Sequence, residues 1–444
     1  ARPSAGKEAP KPRNPAKDDI PLMTERSSQP SPPAPVPLRL QIAVYGIGLF
    51  STSMFYMSAV VVPLWVASLE SSPFLVGMVL GARHFLPLFL SIHGGALMDR
   101  LGGRRVMVFF AVIGVIAPML FPLMPWIGAV LVLQMIAGLV DSMGWLGAQT
   151  LIGQHMRGST VYTGRLSFTC RFGHLIAPPA IGWIWDSLGP SWAFVALGGW
   201  GIGTLACSLM LPPAEGKSAE TGRDDRVRTA DLLPRFADYA EAFRLLAVPA
   251  IALIVMASML SHVGASVHSS FYVVYLGERG FSGTEIGLLL SVSSVAAAFG
   301  ALIAAWTARH IRPYWLMLGA ILTSVLAIAV TPALGLLSLL MVASAVRGAA
   351  NGVTQPMVIS TVLRAVGPEM RGKAAGIRGT ANRIASIAAP VVMGAVAEYA
   401  GIEASFYIVG MIATALMAAL ALHVIRSPAL SASNRIEAED SSRT

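Results

Sequence analysis

A short charged cluster between two long apolar runs constrains this chain more than any other stretch. Residues 95–105 bring together one carboxylate, three arginines and a pair of adjacent glycines. Each flanking run extends over about 20 residues, the length that a helix needs to cross the hydrocarbon core of a bilayer. Since so many charges cannot lie in hydrocarbon, we expect a tight turn between two membrane spans.

The composition indicates that most of the chain faces lipid. Hydrophobic residues make up 55% of the 444 residues and charged residues only 12%, whereas a soluble globular domain carries about 25% charged residues. The net charge of +9 could suggest nucleic-acid binding, but the positive residues are concentrated in short connectors and tails. That placement is typical of a membrane topology signal. We therefore expect a lipid bilayer, and no nucleic acid, among the partners.

The same length criterion predicts twelve membrane spans, six on each side of a polar stretch. They lie near residues 41–68, 74–98, 105–123, 126–150, 166–187, 191–212, 247–276, 284–307, 314–331, 334–362, 379–400 and 403–425. The predicted fold class is an all-α polytopic membrane protein with two six-helix bundles. We predict the following domains: a disordered cytoplasmic tail (1–40), an N-terminal bundle (41–212), a cytoplasmic linker (213–244), a C-terminal bundle (245–425) and a cytoplasmic tail (426–444).

The orientation follows from the distribution of lysine and arginine among the connectors. Nine basic residues lie in the connectors after spans two, four, eight and ten: Arg100, Arg104, Arg105, Arg157, Arg309, Arg312, Arg364, Arg371 and Lys373. The connectors on the opposite side contain only Arg279. Because positively charged loops stay inside, both termini should be cytoplasmic. We expect a multi-pass protein of the plasma membrane, in a bacterium the inner membrane.

The two halves of the sequence resemble each other. With an offset of 212 residues, Gly164, Arg171, Ala177, Pro178, Gly182, Asp186 and Gly189 fall on Gly376, Arg383, Ala389, Pro390, Gly394, Glu398 and Gly401. With an offset of 210 residues, Gly77 falls on Gly287. Two parallel six-helix repeats place a transport pathway at their interface, where one half can rock against the other.

Twelve spans in two related halves, with the charged cluster after the second span, resemble the major facilitator superfamily of secondary transporters. The loop signature of that family, G-x-x-x-D-R-x-G-x-R-R, is filled by Gly95, Asp99, Arg100, Gly102, Arg104 and Arg105. The resemblance covers residues 41–425 and implies that this loop is a conformational latch. Asp99 would engage the positive N-terminal end of span eleven, near Gly379–Arg383, when the inner side is closed.

Two weaker signatures of the same family are present with departures. The fourth-span pattern R-x-x-x-G appears as Gln134 and Gly138, with the arginine replaced. The fifth-span signature associated with antiporters, G-x-x-x-G-P-x-x-G-G, appears as Gly173, Ala177, Pro178 and Gly182, with two glycines replaced. The resemblance of this antiporter-like span favours an exporter.

Few ionisable residues lie deep in the spans, and each is a functional candidate because a charge in the membrane is costly. Arg83 lies in span two, Asp141 in span four and Arg347 in span ten. Asp141 is a candidate for proton coupling, since a carboxyl group in a dry environment can exchange a proton near neutral pH. The alternative is that Arg83 and Asp141 pair and hold their helices together.

Other polar residues are candidates for the proton or the substrate. His268 lies in a span made polar by Ser261, Ser266, Ser269 and Ser270, and an imidazole suits a proton relay. Arg171 and Arg383, with the adjacent Asn382, could form a cationic pair at the inner mouth that meets an anionic solute. The alternative is that these arginines extend to the membrane interface or pair with loop carboxylates.

The expected function is proton-coupled efflux of a small organic compound, a drug or a metabolite, by a monomer that works by alternating access. The first alternative is proton-coupled symport of a small organic anion, suggested by Arg83 and Arg347. The second is a non-transporting membrane sensor or scaffold. The sequence has no phosphate-binding loop, metal cluster or nucleophilic triad, so we expect no enzyme, cofactor or metal. The 213–244 linker is too short for an ATPase domain, so transport should be secondary.

Overall fold

The computed structural model describes residues 36–69, 72–156, 159–213, 245–366 and 370–427. The predicted tails, before residue 36 and after residue 427, and the linker at 214–244 lie outside the described residues, so the domain boundaries stay predictions. All of the helices belong to one compact unit that begins at Leu38. Within the described ranges the regular structure is entirely helical, and no β-strand occurs.

Twelve helices form the described part of the chain, and two of them are interrupted. They are α1 (Leu38–Ser68), α2a (Pro73–Ala82) and α2b (Phe85–Leu101), α3 (Gly103–Leu120), α4 (Ile127–His155), α5 (Thr160–Leu188), α6 (Pro190–Leu209), α7a (Pro249–His268) and α7b (Phe271–Glu278), α8 (Gly283–His310), α9 (Pro313–Ala329), α10 (Leu337–Ala365), α11 (Arg371–Ala400) and α12 (Ile402–Arg426). The predicted fold class is confirmed.

The helices differ from the predicted spans mainly at their ends. Among the described residues, ten segments are long and apolar enough to cross a membrane, while α9 is apolar but shorter, with 17 residues. The α11 helix starts at Arg371, eight residues before the predicted span, because its first turns are polar and hydropathy detects only the lipid-facing part. Gly379 therefore lies in the third turn, and the positive dipole end predicted near Gly379–Arg383 is instead at Arg371.

A single glycine connects α2b to α3, which confirms the tight turn predicted for the charged cluster. Gly102 has φ +84 and ψ 137, a conformation that is strained for residues with a Cβ atom. Its backbone N–H donates to the carbonyl oxygen of Met98 and closes the end of α2b. The requirement for glycine in the loop signature therefore has a backbone cause at this position.

The break in α2 has a cause in the sequence. Pro87 has no N–H to donate to the carbonyl of Arg83, and its ring crowds that carbonyl. The helix is interrupted at Arg83 and His84, four and three residues before the proline. Gly138 of α4 packs directly on the freed carbonyl, where a Cβ atom would collide with the Arg83 oxygen. The glycine of the fourth-span pattern thus accommodates the kink.

The break in α7 involves serines rather than proline. Ser270 has φ −131 and ψ −96, outside the helical region. Its hydroxyl donates to the carbonyl of Ser266 at 2.6 Å, and the Ser269 hydroxyl donates to that of Ala265 at 3.2 Å. Serine hydroxyls that bond back to the preceding turn bend helices. Both interruptions therefore put polar groups near the middle of the molecule.

The two six-helix halves contact each other mainly through two helix pairs, α2a with α11 and α5 with α8. The α1 helix also contacts α7b. A buried apolar cluster spans these contacts and includes Val60 of α1, Val79 of α2a, Phe271 of α7b, Ile286 of α8 and Met393 of α11. Close packing of these side chains contributes to the association of the two halves.

Candidate transport site and gate

The α2a–α11 and α5–α8 pairs use the same close backbone approach. A Cβ atom added at Gly77 would collide with the carbonyl oxygen of Pro390, and one added at Gly287 would collide with that of Pro178. The sequence repeat relates the first pair to the second. The antiporter-like residues Pro178 and Gly182 therefore form the contact with α8, while Gly173 packs against Leu49 of α1.

One turn further along, the approach repeats. A Cβ atom at Gly182 would collide with the carbonyl of Gly283, and one at Gly394 with the carbonyl of Pro73. Both contacts join opposite halves near the ends of α5 and α11. We call this the closed end, because no side chain separates the two backbones at these crossings.

A carboxylate from each half caps a helix of the other half at the closed end. Asp186 of α5 accepts hydrogen bonds from the backbone N–H groups of Gly283 at 2.7 Å and Thr284 at 2.9 Å, and from the Thr284 hydroxyl at 2.6 Å. Glu398 of α11 accepts one from the backbone N–H of Phe74 at 3.1 Å. Each carboxylate satisfies amide donors that a helix start leaves unpaired, and it interacts favourably with the helix dipole.

The opposite end, which contains Gly102, is open. Gly164 of α5 is the repeat counterpart of Gly376 in α11, and a Cβ atom on either would meet no other described heavy atom within 4 Å. Gly379 is equally unobstructed among the described residues. We call this the open end. The two halves are thus in close backbone contact at the closed end, whereas these three glycines make no such contact with the described residues at the open end.

Arg83 and Asp141 form a buried ion pair. The Nη2 atom of Arg83 donates to Oδ2 of Asp141, and their side chains are only 8% and 13% exposed. The guanidinium carbon of Arg83 lies 4.5 Å from the ring centroid of Phe55, within cation–π distance. The pairing that we considered as an alternative is therefore present. It satisfies the charge on both residues, so Arg83 is not an isolated anion site in this conformation.

Asp141 lies inside the N-terminal half. It lines small cavities with Met54 of α1, Phe110 and Gly114 of α3, and Leu197 of α6. Arg83, in contrast, also lines a cavity between the halves. The ion pair thus connects the interior of one bundle with the interface.

The interface cavity lies between the two helix breaks. Arg83 and His84 at the α2 break line it from one side, and Ser269 and Ser270 at the α7 break line it from the other. Gln134 also lines it, and its Oε1 atom is buried without a described hydrogen-bond partner. Interrupted helices form the substrate sites of many transporters. Gln134 occupies the position where the family pattern has arginine.

A second polar cluster surrounds Arg347 of α10. Arg347 is 6% exposed, and its Nη1 atom donates to the Ser293 hydroxyl at 2.8 Å. The Tyr272 and Ser344 hydroxyls are 3.1 Å apart. His268 stacks on Tyr272 with 4.7 Å between ring centroids. The sequence candidates His268 and Arg347 are therefore neighbours in one cluster.

The remaining candidates lie at separate places along the interface. Asn382 accepts a hydrogen bond from Ser258 of α7a at 2.9 Å, within its own half. Arg171 donates to the carbonyl of Ser294 of α8 at 3.4 Å, whereas Arg383 is within electrostatic range of His84. Arg171 and Arg383 thus lie on different helix pairs in this conformation and do not form one pair.

The latch residues lie at the open end. Arg104 and Arg105 are in the first turn of α3, with Arg105 the more exposed. The side chains of Asp99 and Arg100, and the surroundings of Gly95, lie outside the described residues. The latch function of this loop stays a prediction.

Among the described residues, twelve helices form two related halves with a cavity at their interface, and ten segments are long and apolar enough to cross a membrane, which is the architecture of a membrane transporter. The chain belongs to the major facilitator superfamily, whose family model matches residues 44–278 and 254–442.

Two of the relatives have names that state different substrates, and a third has a name that states none. The multidrug efflux pump Tap of Mycolicibacterium fortuitum is 25% identical over 363 residues, which cover 77% of this chain and 85% of that protein. A solved structure of a mutant form of the nucleoside transporter NupG has a TM-score of 0.72 at 17% identity and covers 86% of this chain and 99% of NupG. The structure of a bacterial homologue of the human lysosomal transporter Spinster has a TM-score of 0.62 at 16% identity. The match covers 92% of this chain and 96% of that homologue. At these identities the solved structures show a shared fold.

Proposed function

We propose that this protein exports a small organic compound, a drug or a metabolite, in exchange for protons. The observation that supports this most is the buried Arg83–Asp141 pair, which connects the interior of the N-terminal half with the interface cavity. Buried ion pairs are costly to maintain, and a titratable member gives the protein two charge states at that point.

Proton binding at Asp141 would release Arg83. The charged side chain that faces Asp141 is Arg83, while α1 and α3 present Met54, Met107 and Phe110. A proton on Oδ2 removes the charge that holds the guanidinium. Arg83 can then reorient toward the interface cavity, where the Oε1 atom of Gln134 lacks a described partner. Deprotonation restores the pair.

This switch couples protons to substrate if the released Arg83 side chain and the substrate compete for the same space in the interface cavity. With Asp141 charged, Arg83 is held and the cavity is free for substrate. With Asp141 protonated, the Arg83 side chain turns toward Gln134 and fills part of the cavity, so that too little space is left for the substrate. The protein then exchanges one ligand for the other, as an antiporter requires, because each state favours a different occupant.

Two further observations support export over uptake. Tap, named as a multidrug efflux pump, matches 77% of the chain. The antiporter-like residues Gly173, Pro178 and Gly182 make close contacts along α5, the last two at the closed end. With both termini cytoplasmic, as the connector charges favour, the open end faces the cytoplasm and the cavity is accessible to compounds from inside.

The proposal is tested in everted membrane vesicles from cells that express the protein. Respiration acidifies the lumen and quenches the dye ACMA, and we then add ethidium, tetracycline, uridine or 1-naphthoate one at a time. An exported compound should restore ACMA fluorescence in vesicles that contain the native protein. It should not do so in vesicles that contain Asp141→Asn or in vesicles from cells that lack the protein. If labelled compound enters the vesicles equally well with a protonophore present, proton exchange is wrong.

A further inference from the structure

We propose that the exported compound is an organic anion with a planar ring, and that Arg347 binds its anionic group between two histidine–tyrosine ring pairs. This inference rests on the proposed transport function and adds the chemical class of the substrate.

Arg347 is a deeply buried cation that forms no ion pair with a described carboxylate. Its Nη1 atom donates to the neutral Ser293 hydroxyl at 2.8 Å, and its Nε atom has no described hydrogen-bond partner. Burying a charge without an opposite charge is expensive. Arg83 is equally buried but has Asp141. The comparison singles out Arg347 as the arginine whose counter-ion is missing from the described part of the protein.

Arg347 does not line the interface cavity in this conformation, but its depth in the membrane is the one expected for a substrate site. It is ten residues after the start of α10 at Leu337, which places it about 15 Å into the membrane from the closed end at 1.5 Å per residue. The residues around it come from both halves, since Tyr56 lies in α1 and Tyr272 in α7b, and both are within electrostatic range of the guanidinium. A ligand bound there contacts both halves, as rocking transport requires.

Two histidine–tyrosine ring pairs flank this cation, one stacked and one tilted. His268 and Tyr272 have ring centroids 4.7 Å apart at 25°, and Tyr56 and His174 have centroids 4.2 Å apart at 37°. The Nε2 atoms of both histidines are buried and have no described hydrogen-bond partner. Flat faces favour a planar ring, and the two imidazoles can hydrogen-bond to polar substituents on it.

A second cation lies on the path from the open end. Arg171, one helical turn before His174, is exposed and donates to the Ser294 carbonyl at 3.4 Å. Its charge attracts an anion toward the two ring pairs. The membrane potential, negative inside, also drives an anion outward, so an anionic cargo agrees with export.

The test compares two probes of nearly the same shape, 1-naphthoate and its neutral amide, 1-naphthamide, together with 1-naphthalenesulfonate. Binding to the full-length protein in detergent is measured by titration calorimetry. The native protein should bind the naphthoate or the sulfonate at least about tenfold more tightly than the amide, because a charge-assisted bidentate bond is lost in the amide complex. Arg347→Gln should abolish this preference and leave amide binding unchanged.

Two further variants keep the test decisive. Arg347→Lys retains the charge without the planar fork and should keep part of the preference, which also covers the case in which Arg347→Gln does not fold. Arg312→Gln, an exposed arginine at the start of α9, is the matched control and should behave as the native protein.

The outcomes separate this inference from the proposed function. Equal binding of the acids and the amide, or a preference that survives in Arg347→Gln, overturns the anion site even if ethidium discharges the proton gradient. If Arg347 binds the anions but no compound moves protons in the vesicles, the anion site stands and proton exchange is wrong.

Discussion

The carboxylate of Asp186 in the N-terminal half accepts a hydrogen bond from the backbone N–H of Gly283, the first residue of α8, at 2.7 Å. The sequence repeat places Glu398 at the equivalent position, where it caps α2a through Phe74 at 3.1 Å. Both caps exist only while the halves touch at the closed end. They are therefore interactions that must break when this end opens.

We predict that Asp186→Ala shifts the protein toward conformations that are open at this end. A lost cap costs about 1 kcal/mol, which corresponds to an approximately fivefold change in population. Spin labels at the exposed positions Ser191 and Tyr399, one in each half, should show a larger fraction of long distances. The matched control is Glu403→Ala, whose partner Arg279 belongs to the same half. An equal shift in the control would show that the cap has no specific effect.

Gly182 allows α5 and α8 to touch, so its replacement should be costly. We predict that Gly182→Ala destabilises the described conformation by about 1–3 kcal/mol, because the new methyl group meets the Gly283 backbone and not a mobile side chain. The measurement is the melting temperature in detergent. Gly164→Ala, on the same helix in open space among the described residues, should change it little. Equal shifts in the two variants would contradict the close approach.

Gly102 should tolerate no side chain without strain. Its φ of +84 combined with ψ of 137 is a conformation that residues other than glycine rarely adopt, and we expect Gly102→Ala to cost about 1–3 kcal/mol. The melting temperature and the rate of transport should both fall. The control is Gly153→Ala in α4, where a Cβ atom would meet no other described heavy atom within 4 Å. An unchanged melting temperature in Gly102→Ala would argue against the strained turn.

The Arg83–Asp141 pair should behave as a coupled unit. Arg83→Gln leaves a buried carboxylate without its partner, and we expect a loss of about 3–5 kcal/mol. The double variant Arg83→Gln/Asp141→Asn removes both charges and should recover most of this stability, because the cost comes from the unpaired charge. Thermal unfolding of the two single variants and the double variant gives the coupling energy. Additive effects would mean that the pair contributes little.

The fold could be predicted because lipid leaves few choices. Each span must satisfy its own backbone hydrogen bonds, so apolar runs of sufficient length become helices. The glycine turn at 102 followed from charge alone, since the arginines around it cannot lie in hydrocarbon. The ends of α11 could not be predicted in the same way, because a helix that continues into water has no hydropathy signal.

The site was less predictable, because it depends on which sides of neighbouring helices pack against each other. The sequence offered the pairing of Arg83 with Asp141 only as an alternative, and the structure shows that this pair forms while Arg347 has no described carboxylate partner. The repeat aligned Asp186 with Glu398, but it did not reveal that both cap helices of the opposite half. Tyr272 follows His268 by four residues, but the α7 break at Ser269 and Ser270 lies between them, so the helical spacing rule could not have predicted their stack.

Gradient-driven transport by purified protein in liposomes tests the central claim, proton coupling through Asp141, most directly. The substrate is a labelled form of the compound that discharges the proton gradient in the everted vesicles. The liposome lumen is made acidic relative to the outside solution. The native protein should accumulate it against its concentration gradient, while Asp141→Asn should exchange labelled for unlabelled compound at a similar rate without net accumulation. Accumulation by Asp141→Asn equal to that of the native protein would contradict the account.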